Sequence, residues 1–141
     1  MTKIFFLLSI STFLFQSSIM AQLIETHLWQ DRVVLLISDT PNIDLEKQLN
    51  LFKKNSAGLK ERKIVCYQIT PKVVKKDGVA FFEKDFRDRI LEKYQPKKND
   101  FTFILIGLDG GEKMRSTKVV SIEDLFKKID KMPLRRMEIG Q

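Results

Sequence analysis

The sequence predicts an α/β domain built on a central four-stranded mixed sheet with helices on both faces. Three observations carry this. Arg32-Val33-Val34-Leu35-Leu36-Ile37-Ser38 and the segment from Phe101 to Ile106, apart from Thr102, are apolar runs without alternation, the pattern of strands covered on both sides. A segment of helical period separates the first run from a shorter one, Ile64 to Ile69, so those two strands form a right-handed βαβ unit and run parallel. Asp109-Gly110-Gly111 supplies the positive-φ residues of a tight hairpin, which makes the following strand antiparallel.

The elements follow in order. After the first strand, Asp39 or Thr40 caps a helix that takes Pro41 in its first turn, where a missing N–H costs nothing. Leu45, Leu49 and Phe52 make its apolar stripe, and Gly58 suits a left-handed exit. Pro71 stops the second strand, and the polar, basic stretch from Lys72 to Gly78 reads as an exposed loop. Ala80 to Tyr94 reads as a helix with Phe82, Phe86 and Ile90 on one face and alternating charges on the other. Pro96 to Asp100 is a turn, and beyond the third strand and its glycine turn Glu112 to Val120 returns along the sheet. Ser121 caps the last helix with Asp124 in the capping-box position. Ile122, Leu125, Ile129 and Met132 form its buried stripe, and Pro133 stops it. The order β-α-β-α-β-β-α is that of the thioredoxin-like fold.

Residues 1–21 read as a secretory signal peptide: a basic start at Lys3, an apolar run from Ile4 to Phe15, and a more polar end at Met20-Ala21. An uninterrupted membrane span needs about 20 apolar residues, and this run is shorter and contains Ser9, Ser11 and Thr12. Cleavage is expected after Ala21, giving a periplasmic or secreted protein with no stable membrane insertion and one domain over residues 22–141. Taking Lys3 from the 25 basic residues leaves 24 against 18 acidic ones, a mature net charge of +6. Such a surface attracts anionic partners, although charge by itself speaks to association and solubility rather than to function. Cys66 is the only cysteine, so no intrachain disulfide staples the domain and stability rests on packing.

Several segments resemble a known family nearly from end to end. They are Trp29 and Arg32 before and at the first strand, Gln48 in the first helix, Glu61-Arg62 before the second strand, the run from Ile106 to Ser116, and the run from Ile129 to Glu138. The chain resembles a domain of unknown function found in small secreted bacterial proteins and in some vertebrate extracellular-matrix proteins that carry sushi repeats. It departs at Leu108, where the family pattern usually has Lys. The resemblance implies a thioredoxin-like fold and no established activity; the vertebrate relatives are linked with matrix association and adhesion.

The residues themselves constrain chemistry. Thioredoxin-like enzymes place a nucleophilic cysteine at the N-terminus of the helix after the first strand; here that position reads Ser38-Asp39-Thr40-Pro41-Asn42, without sulfur. Dithiol exchange is therefore excluded, and Cys66, between Val65 and Tyr67, is expected as a small core thiol. His27 is the only histidine, so neither a metal site nor a Ser-His-Asp arrangement has support in the spacing. A hydrolase centred on Asp39 or Thr40 is a minor alternative. Asp109-Gly110-Gly111 joins two strands and opens no helix, unlike a phosphate loop. Most phenylalanines fall in the leader or on core faces, which argues against nucleic-acid binding. The sequence implies no cofactor.

Lys113 and Arg115 alternate along the fourth strand, and Arg135 and Arg136 follow the last helix. If the hairpin and that helix end converge, these four make a patch for a carboxylate, sulfate or phosphate group. The competing expectation is ordinary surface charge and pairing with Asp130 or Glu138, with Arg32–Glu138 as a further pair. The functional expectation is a non-catalytic, exported binding or scaffolding module whose basic face meets an anionic ligand or an extracytoplasmic protein. The alternative is a thiol oxidoreductase or peroxidase acting through Cys66.

Overall fold

The computed structural model describes residues 25–98 and 100–140; the expected leader and its cleavage point lie outside them. A mixed sheet of six strands organises the domain. The elements are β1 (Arg32–Ile37), α1 (Ile43–Lys54), α2 (Ser56–Glu61), β2 (Ile64–Ile69), β3 (Val74–Lys76), β4 (Val79–Ala80), α3 (Phe86–Tyr94), β5 (Thr102–Ile106), β6 (Glu112–Ser116), α4 (Ile122–Asp130) and α5 (Pro133–Ile139). Their spatial order is β4-β3-β2-β1-β5-β6. β1 runs parallel to β2, from Arg32 opposite Ile64 to Ile37 opposite Ile69, and antiparallel to β5.

β1 and β5, apolar apart from Arg32 and Thr102 at their starts, are buried along their whole length. Alternate residues feed opposite faces. Val33, Leu35 and Ile37 pack with Phe86, Ile90 and Tyr94 of α3, whereas Val34 and Leu36 pack with Leu45 and Phe52 of α1, Leu59 of α2, and Leu125 and Ile129 of α4. The sheet thus lies between α3 on one side and α1, α2 and α4 on the other. Among the described residues no helix is long and apolar enough to cross a membrane.

Four expectations need correction. The segment expected as an exposed loop forms the hairpin β3–β4, turning at Asp77 (φ 48°) and Gly78 (φ 83°), and this extends the sheet from four strands to six. The Asp-Gly pair lies between short β-capable stretches, which is a hairpin signal in its own right. The next helix accordingly begins at Phe86 rather than Ala80. Phe82 is left exposed, and Phe81 packs edge-on to both Tyr67 and Phe86.

The first helix is capped by Asn42, whose side chain accepts from Asp44 N, and Asp39 and Thr40 stand before it. Gly58 is not an exit but a residue of α2: a Cβ there would meet the Phe126 ring at 2.6 Å, so glycine permits close approach of α2 to α4. Pro133 does follow the end of α4, but it also begins α5, because a residue lacking an N–H is well placed in a first helical turn. Ser121 caps α4 through Asp124 N as expected, and Gly110 turns the β5–β6 hairpin at φ 76°.

Candidate functional site

The start of β1, the β5–β6 turn and the α4–α5 corner meet at one end of the sheet. Even-numbered positions of β1 face α4, so Arg32 enters beneath that corner, where it is 1% exposed. Its Nη1 donates to Arg62 O at 3.0 Å and to a Glu138 carboxylate oxygen at 3.2 Å. Arg62 spans to Asp130 with two bonds, 3.0 and 2.7 Å, and its guanidinium lies 3.9 Å from the Phe126 ring centre. Arg135, also buried, donates to Glu61 at 2.6 Å, to Asp130 at 3.3 Å and to Glu138 at 3.5 Å. Three arginines and three carboxylates therefore form one network, and Lys63 adds a fourth cation at 3.4 Å from Glu138.

The network sets the acidity of its carboxyls. Hydrogen bonding from Arg62 leads in holding the Asp130 carboxyl below its ordinary range. Burial pushes the Glu138 carboxyl upward, but the charges of Arg32 and Lys63 outweigh it, so this group too lies below the ordinary range. Both carboxylates are thereby kept ionised against the guanidinium groups, which is what a buried arginine requires.

Beside this network opens a pocket of about 430 Å³, lined among others by Arg32, Lys113, Lys128, Lys131, Leu108 and Leu134. Gly107 forms part of its wall for a steric reason: a Cβ there would stand 2.5 Å from Lys113 Cε and 2.9 Å from Asp109 Oδ1. The Lys113 ammonium donates to Asp109 at 2.6 Å, and this bond is the main cause of an Asp109 carboxyl below its ordinary range. Lys128 and Lys131, in and after the last turn of α4, are exposed and have no ion-pair partner among the described residues.

The four basic residues singled out in the sequence do not share a patch. Lys113, at the bulge of β6, lies at the pocket. Arg115, opposite Ile104, faces α3: it holds Glu112 through two bonds of 2.8 and 2.7 Å and donates to Tyr94 O at 2.9 Å. Arg135 is internal to the network, and Arg136 is exposed on α5. Sequence reasoning missed Arg32, Lys128 and Lys131 as pocket residues. The sequence offers Arg32 as a strand residue and as a partner for Glu138, and gives Lys128 and Lys131 no role.

The other chemically interesting residues occupy structural positions. His27 is clamped between Asp31 (2.8 Å) and the Tyr67 hydroxyl (2.9 Å). Asp39 pairs with Arg87 at 3.2 Å. Cys66 is half-buried on the wall of a larger cavity beneath α1 and α2, with its N–H donating to Asp77, and burial followed by the Asp77 charge pushes its thiol well above the ordinary range.

A family model described as a domain of unknown function, DUF4174, matches residues 23–138. The chain belongs to the DUF4174 family. Comparison with curated proteins and with solved structures gives no match. The match takes in every element of the fold, from β1 to all but the end of α5. Within this DUF4174 domain, residues far apart in the chain, Arg32, Glu61-Arg62, Asp130, Arg135 and Glu138, meet in the network that borders the pocket.

Proposed function

We propose that this domain is an exported, non-catalytic binding or scaffolding module of thioredoxin-like architecture, and that its basic corner is the contact surface for an anionic ligand or an extracytoplasmic protein. The observation that carries the reading is the pocket in which Arg32, Lys113, Lys128 and Lys131 converge on apolar walls. The order β2-β1-β5-β6 within the sheet, with α1 and α4 on one face and α3 on the other, supports the thioredoxin-like reading. Export is supported by the three-part leader of residues 1–21. Thiol catalysis at Cys66, the competing reading, needs an accessible thiolate, and the burial and neighbouring carboxylate at Cys66 oppose one.

The test is fractionation of cells expressing the full chain, with the mature N-terminus sequenced, followed by chromatography of the exported protein on an immobilised polyanion. Retention that falls with salt and drops in a Lys128→Glu, Lys131→Glu variant supports the basic corner as contact surface. Retention unchanged by that variant refutes it. A cytoplasmic, uncleaved product refutes export. Turnover of a peroxide or disulfide that disappears in Cys66→Ser refutes the non-catalytic reading.

A further inference from the structure

Arg32 carries five N–H donors in a rigid fork, and the protein uses only one edge of it. Nη1 is bonded to Arg62 O and to Glu138, while Nε and Nη2 are buried and have no partner within the protein. These two nitrogens make up the side-on edge of the guanidinium, whose parallel N–H groups match two oxygens of one carboxylate or phosphate group. Buried donors left unpaired are costly, charged ones most of all, so native interiors seldom leave them so.

The surroundings supply the rest of a receptor. Arg32 lines the pocket, and the three lysines that share its lining face one carboxylate there, Asp109, which Lys113 already holds. Leu108 and Leu134 give the same pocket apolar walls, and its 430 Å³ lies within the range of small-ligand sites.

We infer that this pocket is a receptor for a small organic oxyanion, a carboxylate or a phosphate monoester on a short apolar body, whose head group takes the Nε–Nη2 edge of Arg32 while the body lies along Leu108 and Leu134. The inference deepens the basic-corner reading and rests on it. Lys113, Lys128 and Lys131 supply long-range attraction; Arg32 supplies orientation.

The experiment is a nitrogen-edited NMR titration of the exported protein with hexanoate, hexyl phosphate, inorganic phosphate and, as a neutral control, hexanol. The expected result is a shift of the Arg32 Nε–H signal together with the amides of Leu108 and Leu134, saturating with one or both of the hexyl anions and absent with hexanol. Whichever hexyl anion binds more tightly identifies the head group. Arg32→Lys, which keeps the charge and loses the fork, is expected to weaken binding about tenfold or more. Because that variant disturbs the Glu138 pair, Gly107→Ala provides a second: its Cβ displaces Lys113, and binding is expected to weaken with the fold retained. Shifts confined to Arg115 or Arg136, with Arg32 Nε–H unmoved, overturn the pocket and leave a basic binding face standing. No response to any anion overturns the receptor, and salt-sensitive retention on the immobilised polyanion then decides separately whether the basic corner stands as a contact surface.

Discussion

Replacing Gln48 by methionine tests how the last third of the chain is fastened to the first helix. Gln48 is fully buried in α1; its Nε2 donates to Val120 O at 3.0 Å and its Oε1 accepts from Val120 N at 2.7 Å. Methionine has nearly the same length and volume, so the substitution leaves little cavity and isolates the polar loss. It strands one buried N–H and one buried C=O. At about 1–3 kcal/mol per stranded group, the expected loss is about 3 kcal/mol, or about 12 °C in Tm at roughly 4 °C per kcal/mol for a domain of this size. Urea denaturation at pH 7 followed by tryptophan fluorescence reads it, with an unchanged m-value. Gln48→Glu sharpens the test. A protonated carboxyl reproduces both bonds of the amide, and burial raises the introduced group's pKa above its unfolded value. Its stabilising effect is therefore complete below the unfolded pKa and is lost as pH rises through the folded one. The deficit of Gln48→Glu relative to wild type should shrink on acidification. A methionine variant that loses less than about 1 kcal/mol, or a glutamate deficit that does not respond to pH, refutes the reasoning.

Three further outcomes are expected. Gly58→Ala gains about 1 kcal/mol of helix propensity but drives a Cβ into Phe126, whose ring is itself held against Arg62; overpacking of about 1–3 kcal/mol prevails, and thermal denaturation should show a lower Tm. Asp130 and Glu138 have carboxyls below their ordinary values in the fold, so their contribution is complete above about pH 5 and is lost as pH falls through the depressed folded values; Asp130→Asn should flatten the acid side of a stability–pH curve measured by urea midpoint. Cys66, its thiol raised by burial and by Asp77, should react with a disulfide reagent at pH 7 at least about tenfold more slowly than a free thiol and should speed up in denaturant.

What the sequence shows depends on how local the determining physics is. β1 and β5 were legible because a strand covered on both faces is apolar along nearly its whole length, with Arg32 and Thr102 at the strand starts the exceptions. The Ser121 cap and the Gly110 turn were legible because each is a short-range hydrogen bond or dihedral requirement. The β3–β4 hairpin escaped because Lys75 and Lys76 mask its strand character, and pairing with β2 supplies what propensity does not. Gly58 was misplaced because its role is set by the ring of Phe126 on α4, far along the chain and invisible to any local window. The pocket shares this limit. Lys113 was found beside a turn, but Arg32, Lys128 and Lys131 come together only through the sheet and the α4–α5 corner.

The Arg32–Glu138 pair joins positions 106 residues apart, and this ties the stability of the central strand to the segment from Pro133 to Glu138. A buried guanidinium deprived of its counter-charge costs about 3–5 kcal/mol, a large share of the 5–15 kcal/mol typical of a whole domain. A product cut or terminated ahead of Pro133 therefore keeps the complete sheet yet loses the charge that lets its central strand be buried. Such a shortened chain is expected to be less stable than the full one by a large fraction of the domain's stability, and correspondingly more open to proteolysis.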